Sequence, residues 1–346
     1  MKTWTEKYRP KSIDEVEMDA TVHRQLEAFE LSNLPHLILS GAPGTGKTST
    51  ACILARKLLT NMEACMELNA SDNRGISMIS SLADNFIRKQ FEDKRKIIIL
   101  DEADNITKKA QEQLINVMEC YPDVRFIMTC NQMSNIIAGV QSRCMLLVFK
   151  RLTKTELMKK LRCVLRAENV TIETDEVLEL IIVLSDHDIR CCLNYLQSLA
   201  DIDENRHITI SNITSTLRVP SLSVIHDWMA MNSLDERICR YYELIMSGFC
   251  NNDIINMIIC YYDRLLNDTA TSAMPARNAS ARNASAKIVS NHLTGRKKIL
   301  EILRATHDTH FKIVQTTDDE LLMIQYLHVV SQLLDADRRK LESDEL

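Results

Sequence analysis

The amino-acid sequence predicts an α/β protein with a five-stranded parallel sheet, followed by a long region built from helices. Short β-branched runs alternate with helical stretches up to about residue 150, as they do in parallel sheets covered by helices on both faces. From Thr153 onward β-type runs vanish, and apolar residues recur with the 3.6-residue period of a helix. The strands are expected at 36–40, 65–69, 97–101, 124–130 and 145–149.

The helices follow from the same patterns. Three lie between the strands and three follow the sheet, before a boundary near Pro220, and residues beyond 221 are again helical. The predicted helices are 47–60, 76–90, 107–119, 153–168, 174–184 and 188–200. The chain therefore divides into a core over 1–150, a small helical lid over 151–217 and a helical domain over 218–346. Residues 274–285 repeat Ala-Arg-Asn-Ala-Ser twice, which predicts a loop.

Composition excludes several classes of protein. The formal net charge of −5 excludes a uniformly basic nucleic-acid coat, so any DNA contact needs a local patch or partner subunits. A hydrophobic content of 45% excludes wholesale disorder. No apolar run approaches the ~18 residues of a membrane span, and the first ten residues hold no apolar signal segment. We expect an intracellular protein without a membrane anchor.

The eleven cysteines favour neither a zinc site nor disulfides. No Cys-x-x-Cys occurs, and the adjacent pair Cys191-Cys192 suits neither zinc geometry nor an ordinary bridge. Other cysteines lie in apolar segments, where the side chain behaves as a small buried hydrophobe. Examples are Cys52, Cys130, Cys163 and Cys260. The sequence predicts free thiols in a reducing compartment.

Three of only seven glycines fall in one eight-residue stretch, Gly41-Ala-Pro-Gly-Thr-Gly-Lys47-Thr48, which fits G-x-x-x-x-G-K-[ST]. A predicted strand precedes it and a predicted helix follows it. Glycines allow consecutive backbone N–H groups to surround phosphate oxygens at a helix N-terminus. Lys47 would reach the β- and γ-phosphates of ATP, and Thr48 would hold Mg²⁺. The residues expected to contact the nucleotide here are Gly41, Ala42, Pro43, Gly44, Thr45, Gly46, Lys47, Thr48 and Ser49.

A second nucleotide element ends the strand at 97–101, which is followed by Glu-Ala-Asp. Ligands bind at the carboxyl ends of strands in such sheets. Asp101 can bind Mg²⁺ directly or through water, and Glu102 can orient or deprotonate the attacking water. The motif Asp101-Glu-Ala-Asp104 also occurs in RNA helicases. However, nothing after residue 150 supplies the second motor domain, with an arginine-bearing motif, that those enzymes need.

Five motifs occur in an order that resembles the small ATPase subunits of replication factor C, the eukaryotic clamp loader. They are Trp4-x-Glu-Lys-Tyr-Arg-Pro10, the glycine loop, Leu68-Asn-Ala-Ser-Asp-x-Arg-Gly-Ile76, Asp101-Glu-Ala-Asp104 and Gln141-Ser-Arg-Cys144. The resemblance covers residues 3–217 strongly and the remainder weakly. It implies an AAA+ ATPase core, a helical lid and a helical collar, with each ATP bound between two subunits.

The resemblance also implies roles for three further side chains. Asn131 matches sensor 1, which helps to place the attacking water, although an Asn could equally cap the turn after its strand. Arg143 matches the arginine finger offered to the neighbouring subunit's ATP, and its alternative is a surface salt bridge. Arg190 matches the lid arginine called sensor 2, which contacts the γ-phosphate of its own subunit's ATP, and its alternative is a solvated residue at a helix start.

Tyr8, Arg9 and Pro10 match the segment that lines the adenine pocket in this family, although Tyr8 could equally be a packing residue. Two departures limit what can be carried over. His187 replaces a usual glycine in the lid. Ile115-Asn116 replaces a usual arginine pair, so contacts made by those arginines cannot be carried over.

Clamp loaders grip the phosphates of primer–template DNA with helix N-termini and positive charge. The candidate donors are Arg74, Lys108 and Lys109, and the alternatives are a cap or solvated lysines. The sliding clamp would dock on the helix at 76–91. Its apolar stripe, however, is more typical of core: Ile76, Ile79, Leu82 and Phe86.

The resemblance therefore implies ATP-dependent loading of a ring-shaped clamp onto primed DNA, by one small subunit of a nuclear five-subunit assembly. One alternative is a subunit that binds ATP for structure and hydrolyses little. Another is membership in an alternative loader that shares small subunits. Intact Lys47, Asp101, Glu102 and Asn131 favour hydrolysis, since a structural subunit has no chemical need for them.

Overall fold

The computed structural model describes residues 2–70, 86–91, 95–203, 205–231, 233–271, 282–315 and 319–344. The chain forms two compact units. The first comprises residues 1–168 and 185–198, and the second comprises residues 169–184 and 199–346. The three-domain boundaries at 150 and 217 stay predictions.

The first unit contains the five-stranded sheet that the sequence predicts. All neighbouring strands are parallel, in the order β2-β3-β4-β1-β5. The carboxyl ends of β1, β3 and β4 therefore meet at one edge of the sheet. The strands are β1 His36–Gly41, β2 Cys65–Asn69, β3 Lys96–Asp101, β4 Val124–Cys130 and β5 Cys144–Phe149.

Helices surround the sheet and continue through the second unit. Among the described residues, the first six are α1 Trp4–Lys7, α2 Ala20–Ala28, α3 Lys47–Leu58, α4 Lys108–Cys120, α5 Ala138–Gln141 and α6 Lys154–Ala167. The later ones are α7 Asp175–Leu184, α8 Ile189–Ile202, α9 Ile210–Leu217, α10 Leu222–Ala230, α11 Leu234–Met246, α12 Asn251–Thr271, α13 Arg282–Gln315 and α14 Asp319–Asp344. The hydroxyl of Thr107 caps α4 by accepting from the Ala110 N–H.

Strand residues alternate between the two faces of the sheet, and each face is buried under helices. In β3, Ile97 and Ile99 pack with residues of α3, whereas Ile98 and Leu100 pack with residues of α4. All four are at most 2% exposed. The near-continuous apolar runs in the sequence reflect this burial on both faces.

Three predicted segments differ from the structure or lie partly outside the described residues. Two short parallel strands, β6 Thr171–Ile172 and β7 His207–Ile208, form a second sheet, so the prediction that strands end before Thr153 was wrong. Two-residue strands are too short to show alternation. The predicted helix at 76–90 lies outside the described residues as far as 85, and residues 86–88 are helical. Phe86 is buried, as its core interpretation requires. The predicted loop at 274–285 lies outside the described residues as far as 281, and residues 282–285 begin α13.

All eleven cysteines are free, as predicted. Cys130 and Cys260 are buried, but Cys52 is half-buried and Cys163 is exposed. The prediction of a buried thiol was therefore wrong for Cys163, an exposed residue of amphipathic α6. No helix in the described ranges is long and apolar enough to cross a membrane.

His36, at the start of β1, predicts a pH-dependent stability. Its Nδ1 accepts a hydrogen bond from the Phe126 N–H at 3.1 Å, and burial together with Arg125 lowers the pKa of the imidazole from 6.5 to about 4. Below pH 6.5 the unfolded chain binds a proton that the folded chain rejects, so the free energy of unfolding falls as the pH is lowered towards 4. Between pH 7.5 and 5 we expect a loss of at most about 2 kcal/mol from this group, because solvent screens a side chain that is only partly buried.

Urea unfolding at the two pH values would measure this effect in the wild-type chain and in His36→Gln, which cannot titrate. We expect a smaller pH-dependent loss in the variant. Equal losses in the two proteins would show that His36 is not responsible.

Candidate nucleotide-binding site

The glycine loop connects β1 to α3 at the carboxyl edge of the sheet. Gly44 and Gly46 have φ angles of 75° and 90°, in the left-handed region that side chains disfavour. A Cβ atom at Gly44 would lie 2.2 Å from Asp188 Oδ1, so a larger residue would also collide with the start of α8. Asp188 accepts a hydrogen bond from the Arg190 N–H at 2.7 Å, which places Arg190 beside the loop.

Lys47 lies at the centre of this site and is only 7% exposed. Its ammonium donates to the carbonyl oxygens of Gly41 and Ala42, both at 2.8 Å, and to Asn131 Oδ1 at 2.9 Å. Burial and the nearby Arg190 guanidinium lower the pKa of Lys47. The structure thus brings together Lys47, Asn131 and Arg190, which the sequence separates by up to 143 positions (190 minus 47).

The acidic residues at the end of β3 face the same loop. Thr48 Oγ1 donates to Asp101 Oδ1 at 2.7 Å, and Thr129 Oγ1 donates to the same oxygen at 2.5 Å. The Glu102 N–H donates to Thr129 Oγ1 at 3.0 Å. Glu102 itself adopts a left-handed backbone conformation, with φ of 55°. Such strain in a non-glycine residue is typical of functional sites.

Two residues of this network were missed from the sequence. Thr129 connects Asp101 to the backbone of Glu102, and Asp104 accepts from the N–H groups of Asn131 and Gln132, both at 3.0 Å. Asp104 therefore fixes the turn that presents Asn131. Asp104 lies within one of the five motifs that carry the resemblance, whereas Thr129 lies in none of them.

A cavity of about 730 Å³ continues from the loop and is large enough for a nucleotide. Tyr8, Arg9 and Pro10 line it, and Arg190 lines it from α8. Arg9 Nε donates to Ser49 Oγ at 3.2 Å. The remaining lining residues include Thr45, Val16, Val164, Leu193 and Asn194.

Tyr8 is fixed from outside the cavity. Its hydroxyl donates to Glu168 Oε1 at 2.6 Å, and Lys7 Nζ donates to the same oxygen at 2.6 Å. Burial and this carboxylate raise the pKa of the Tyr8 hydroxyl. Both interpretations of Tyr8 therefore fit: the ring lines the cavity, and its hydroxyl ties the N-terminal segment to the end of α6.

Arg143 is not part of this cluster. It immediately precedes β5, and β5 pairs with β1 so that Cys144 lies opposite His36 and Phe149 lies opposite Gly41. The length of β5, about 17 Å, therefore separates Arg143 from the glycine loop. Its guanidinium makes an ion pair with Glu119, and the two side chains are 39% and 56% exposed.

The other predicted residues lie in different places. Lys108 and Lys109 are exposed in the first turn of α4, and Arg74 lies outside the described residues. His187 has a φ angle of 61°, which explains why a glycine suits this position. Ile115 packs against Gly139, where a Cβ atom would lie 2.6 Å from Ile115 Cδ1.

Comparisons with known proteins identify the family of the chain. Residues 37–152 match the family described as ATPase family associated with various cellular activities (AAA). The chain is 37% identical to replication factor C subunit 4 of Encephalitozoon cuniculi, over 72% of this chain and 82% of that protein. It is 34% identical to subunit 4 of Saccharomyces cerevisiae, over 73% and 80%. It is also 34% identical to the replication factor C small subunit of Picrophilus torridus, over 95% and 97%.

Among solved structures, the Thermotoga maritima RuvB Holliday junction branch migration motor superimposes with a TM-score of 0.50 at 21% identity. The match covers 61% of this chain and 72% of RuvB, and it shows the fold alone. Together the matches confirm the predicted AAA fold and ATPase activity. The chain belongs to the small-subunit family of replication factor C, the AAA ATPases of the clamp loader.

Proposed function

We propose that this subunit loads a ring-shaped sliding clamp onto primer–template DNA in the nucleus, as one of five subunits with ATP bound between neighbours. One observation carries the proposal. The glycine-loop site at the carboxyl ends of the strands gathers Lys47, Asn131 and Arg190. Arg143 lies at the other end of the sheet, where the strands begin. An arginine placed there serves a second subunit rather than its own nucleotide.

Within one subunit, each residue has a distinct role. The N–H groups of the loop and the Lys47 ammonium bind the phosphates, and Arg190 contacts the γ-phosphate from α8. Glu102 accepts a proton from the attacking water, which Asn131 orients. Tyr8, Arg9 and Pro10 enclose the adenine. ATP is the nucleotide that this arrangement implies.

Mg²⁺ is the implied metal, and the available oxygen donors fit it. Thr48 and Asp101 would hold it, since their hydroxyl and carboxylate oxygens lie together at the edge of the loop. When bound, Mg²⁺ neutralises negative charge on the β- and γ-phosphates.

The assembly is proposed to use three regions: the core at 1–150, the lid at 151–217 and the collar at 218–346. Exposed apolar side chains on the last two helices support an oligomerisation role for the collar. Monomeric soluble proteins rarely expose large apolar patches, and such patches commonly mark contacts with other proteins. They include Leu300, Phe311, Val314 and Leu321. In the core, Lys108 and Lys109 face solvent at a helix start and are proposed, with Arg74, to contact DNA phosphates.

Steady-state ATP hydrolysis tests the proposal. The chain would be measured alone, then with its partner subunits, and finally with clamp and primed DNA. We expect slow hydrolysis by the isolated chain, since its site lacks a neighbour's arginine, and stimulation only in the complete mixture. Fast hydrolysis by the isolated chain that ignores clamp and DNA would refute clamp loading. Normal clamp loading with no hydrolysis at this site would instead indicate a structural subunit.

A further inference from the structure

The guanidinium of Arg143 is held in a defined plane by its own subunit. Glu119 Oε1 accepts from Arg143 Nε at 3.1 Å and from Nη2 at 2.5 Å. The remaining nitrogen of the planar guanidinium, Nη1, donates to the Gly139 carbonyl oxygen at 2.9 Å. All three guanidinium nitrogens therefore donate to acceptors on two neighbouring helices, α4 and α5.

Those two helices form a rigid support. Gln111 of α4 is 1% exposed, and its side chain donates to the Asn135 carbonyl at 2.9 Å and accepts from the Ile137 N–H at 2.8 Å. Ile115 packs closely against Gly139, where a Cβ atom would lie 2.6 Å from Ile115 Cδ1. The position of Glu119 relative to Arg143 is thus fixed by buried contacts, although the ion pair itself is exposed.

We propose that Glu119 is a positioning residue that orients Arg143 for the ATP of the neighbouring subunit. This inference rests on the proposed function of Arg143. A free arginine samples many rotamers, and fixing it before the subunits meet removes that entropic cost from the catalytic encounter. The opposite possibility, in which Glu119 competes with the phosphate for Arg143, predicts an effect of opposite sign.

The test is Glu119→Gln in the complete assembly with clamp and primed DNA. We expect the turnover number to fall about five- to tenfold, while the KM for ATP stays the same, because the change affects orientation rather than nucleotide binding. Glu112→Gln is the matched control. Glu112 is an exposed residue two turns earlier on α4, and it should leave turnover unchanged. Glu119→Asp, which keeps the charge but withdraws it by one methylene, should be intermediate.

A double-mutant cycle with Arg143→Ala identifies the route of the effect. In that background Glu119→Gln should change nothing further, and the thermal unfolding of Glu119→Gln should match that of Glu112→Gln. Faster turnover with Glu119→Gln would overturn the inference, as would an equal loss with and without Arg143. If Arg143→Ala alone leaves turnover unchanged, the proposed trans role of Arg143 fails instead, and the two failures are distinguishable.

Discussion

Replacing Glu102 with glutamine should leave ATP binding intact but slow hydrolysis at this site by roughly 10²- to 10⁴-fold. Glutamine keeps the shape of the side chain and can still accept from Asn105 Nδ2, which lies 3.1 Å from Glu102 Oε2. It cannot accept a proton from water. Single-turnover hydrolysis and binding of a fluorescent ATP analogue, both in the assembled complex, would separate the two effects.

Lys47→Ala is the informative contrast to Glu102→Gln. It removes a buried charge that would bind the phosphates, so ATP affinity should fall by about 100-fold before any chemistry occurs. The two variants thus fail at different steps.

Normal single-turnover hydrolysis with Glu102→Gln would assign water activation to another residue.

Arg143→Ala should lower the rate of ATP hydrolysis at the neighbouring subunit's site by about 10³- to 10⁵-fold, which is the effect of arginine fingers in other NTPases. ATP binding to the mutated subunit should be normal, because β5 separates Arg143 from its own glycine loop. The stability of the isolated chain should change by less than ~1 kcal/mol, since the ion pair with Glu119 is exposed.

Complexes in which only this subunit carries Arg143→Ala would reveal whose ATP is affected. Arg166→Ala, an exposed arginine in the last turn of α6, is the control for the loss of a positive charge. A defect confined to ATP bound by the mutated subunit itself would contradict action in trans.

The sequence allowed the sheet and the glycine loop to be predicted because both depend on local signals. Buried parallel strands leave β-branched runs, and a phosphate loop needs glycines at positive φ, as Gly44 and Gly46 show. Thr129 and Glu119 could not be assigned in this way. Each is hydrogen-bonded to a partner that is distant in sequence, Asp101 for Thr129 and Arg143 for Glu119, and only the fold brings them together.

The same limit applies to Glu168, which meets Tyr8 across 160 positions. The sequence predicts that a carboxylate at the end of an amphipathic helix is solvated. The contact between Glu168 and Tyr8 depends on where the N-terminal segment lies against α6, which the sequence does not give. The glycine loop has a motif of its own, whereas Glu168 and Glu119 are identified only by the partners that they contact in the folded chain.

Arg143 and the glycine loop lie at opposite ends of the strands of one sheet, so the two ends of each subunit differ in chemistry. Under the proposed trans role of Arg143, one end of the sheet receives an arginine and the other end supplies one, so contact between subunits through these ends is heterologous rather than two-fold symmetric. Heterologous association closes into a ring or remains an open helix, depending on the rotation per step. In an open arrangement, the terminal subunits leave one arginine unused and one nucleotide unserved, so completed sites number one fewer than subunits.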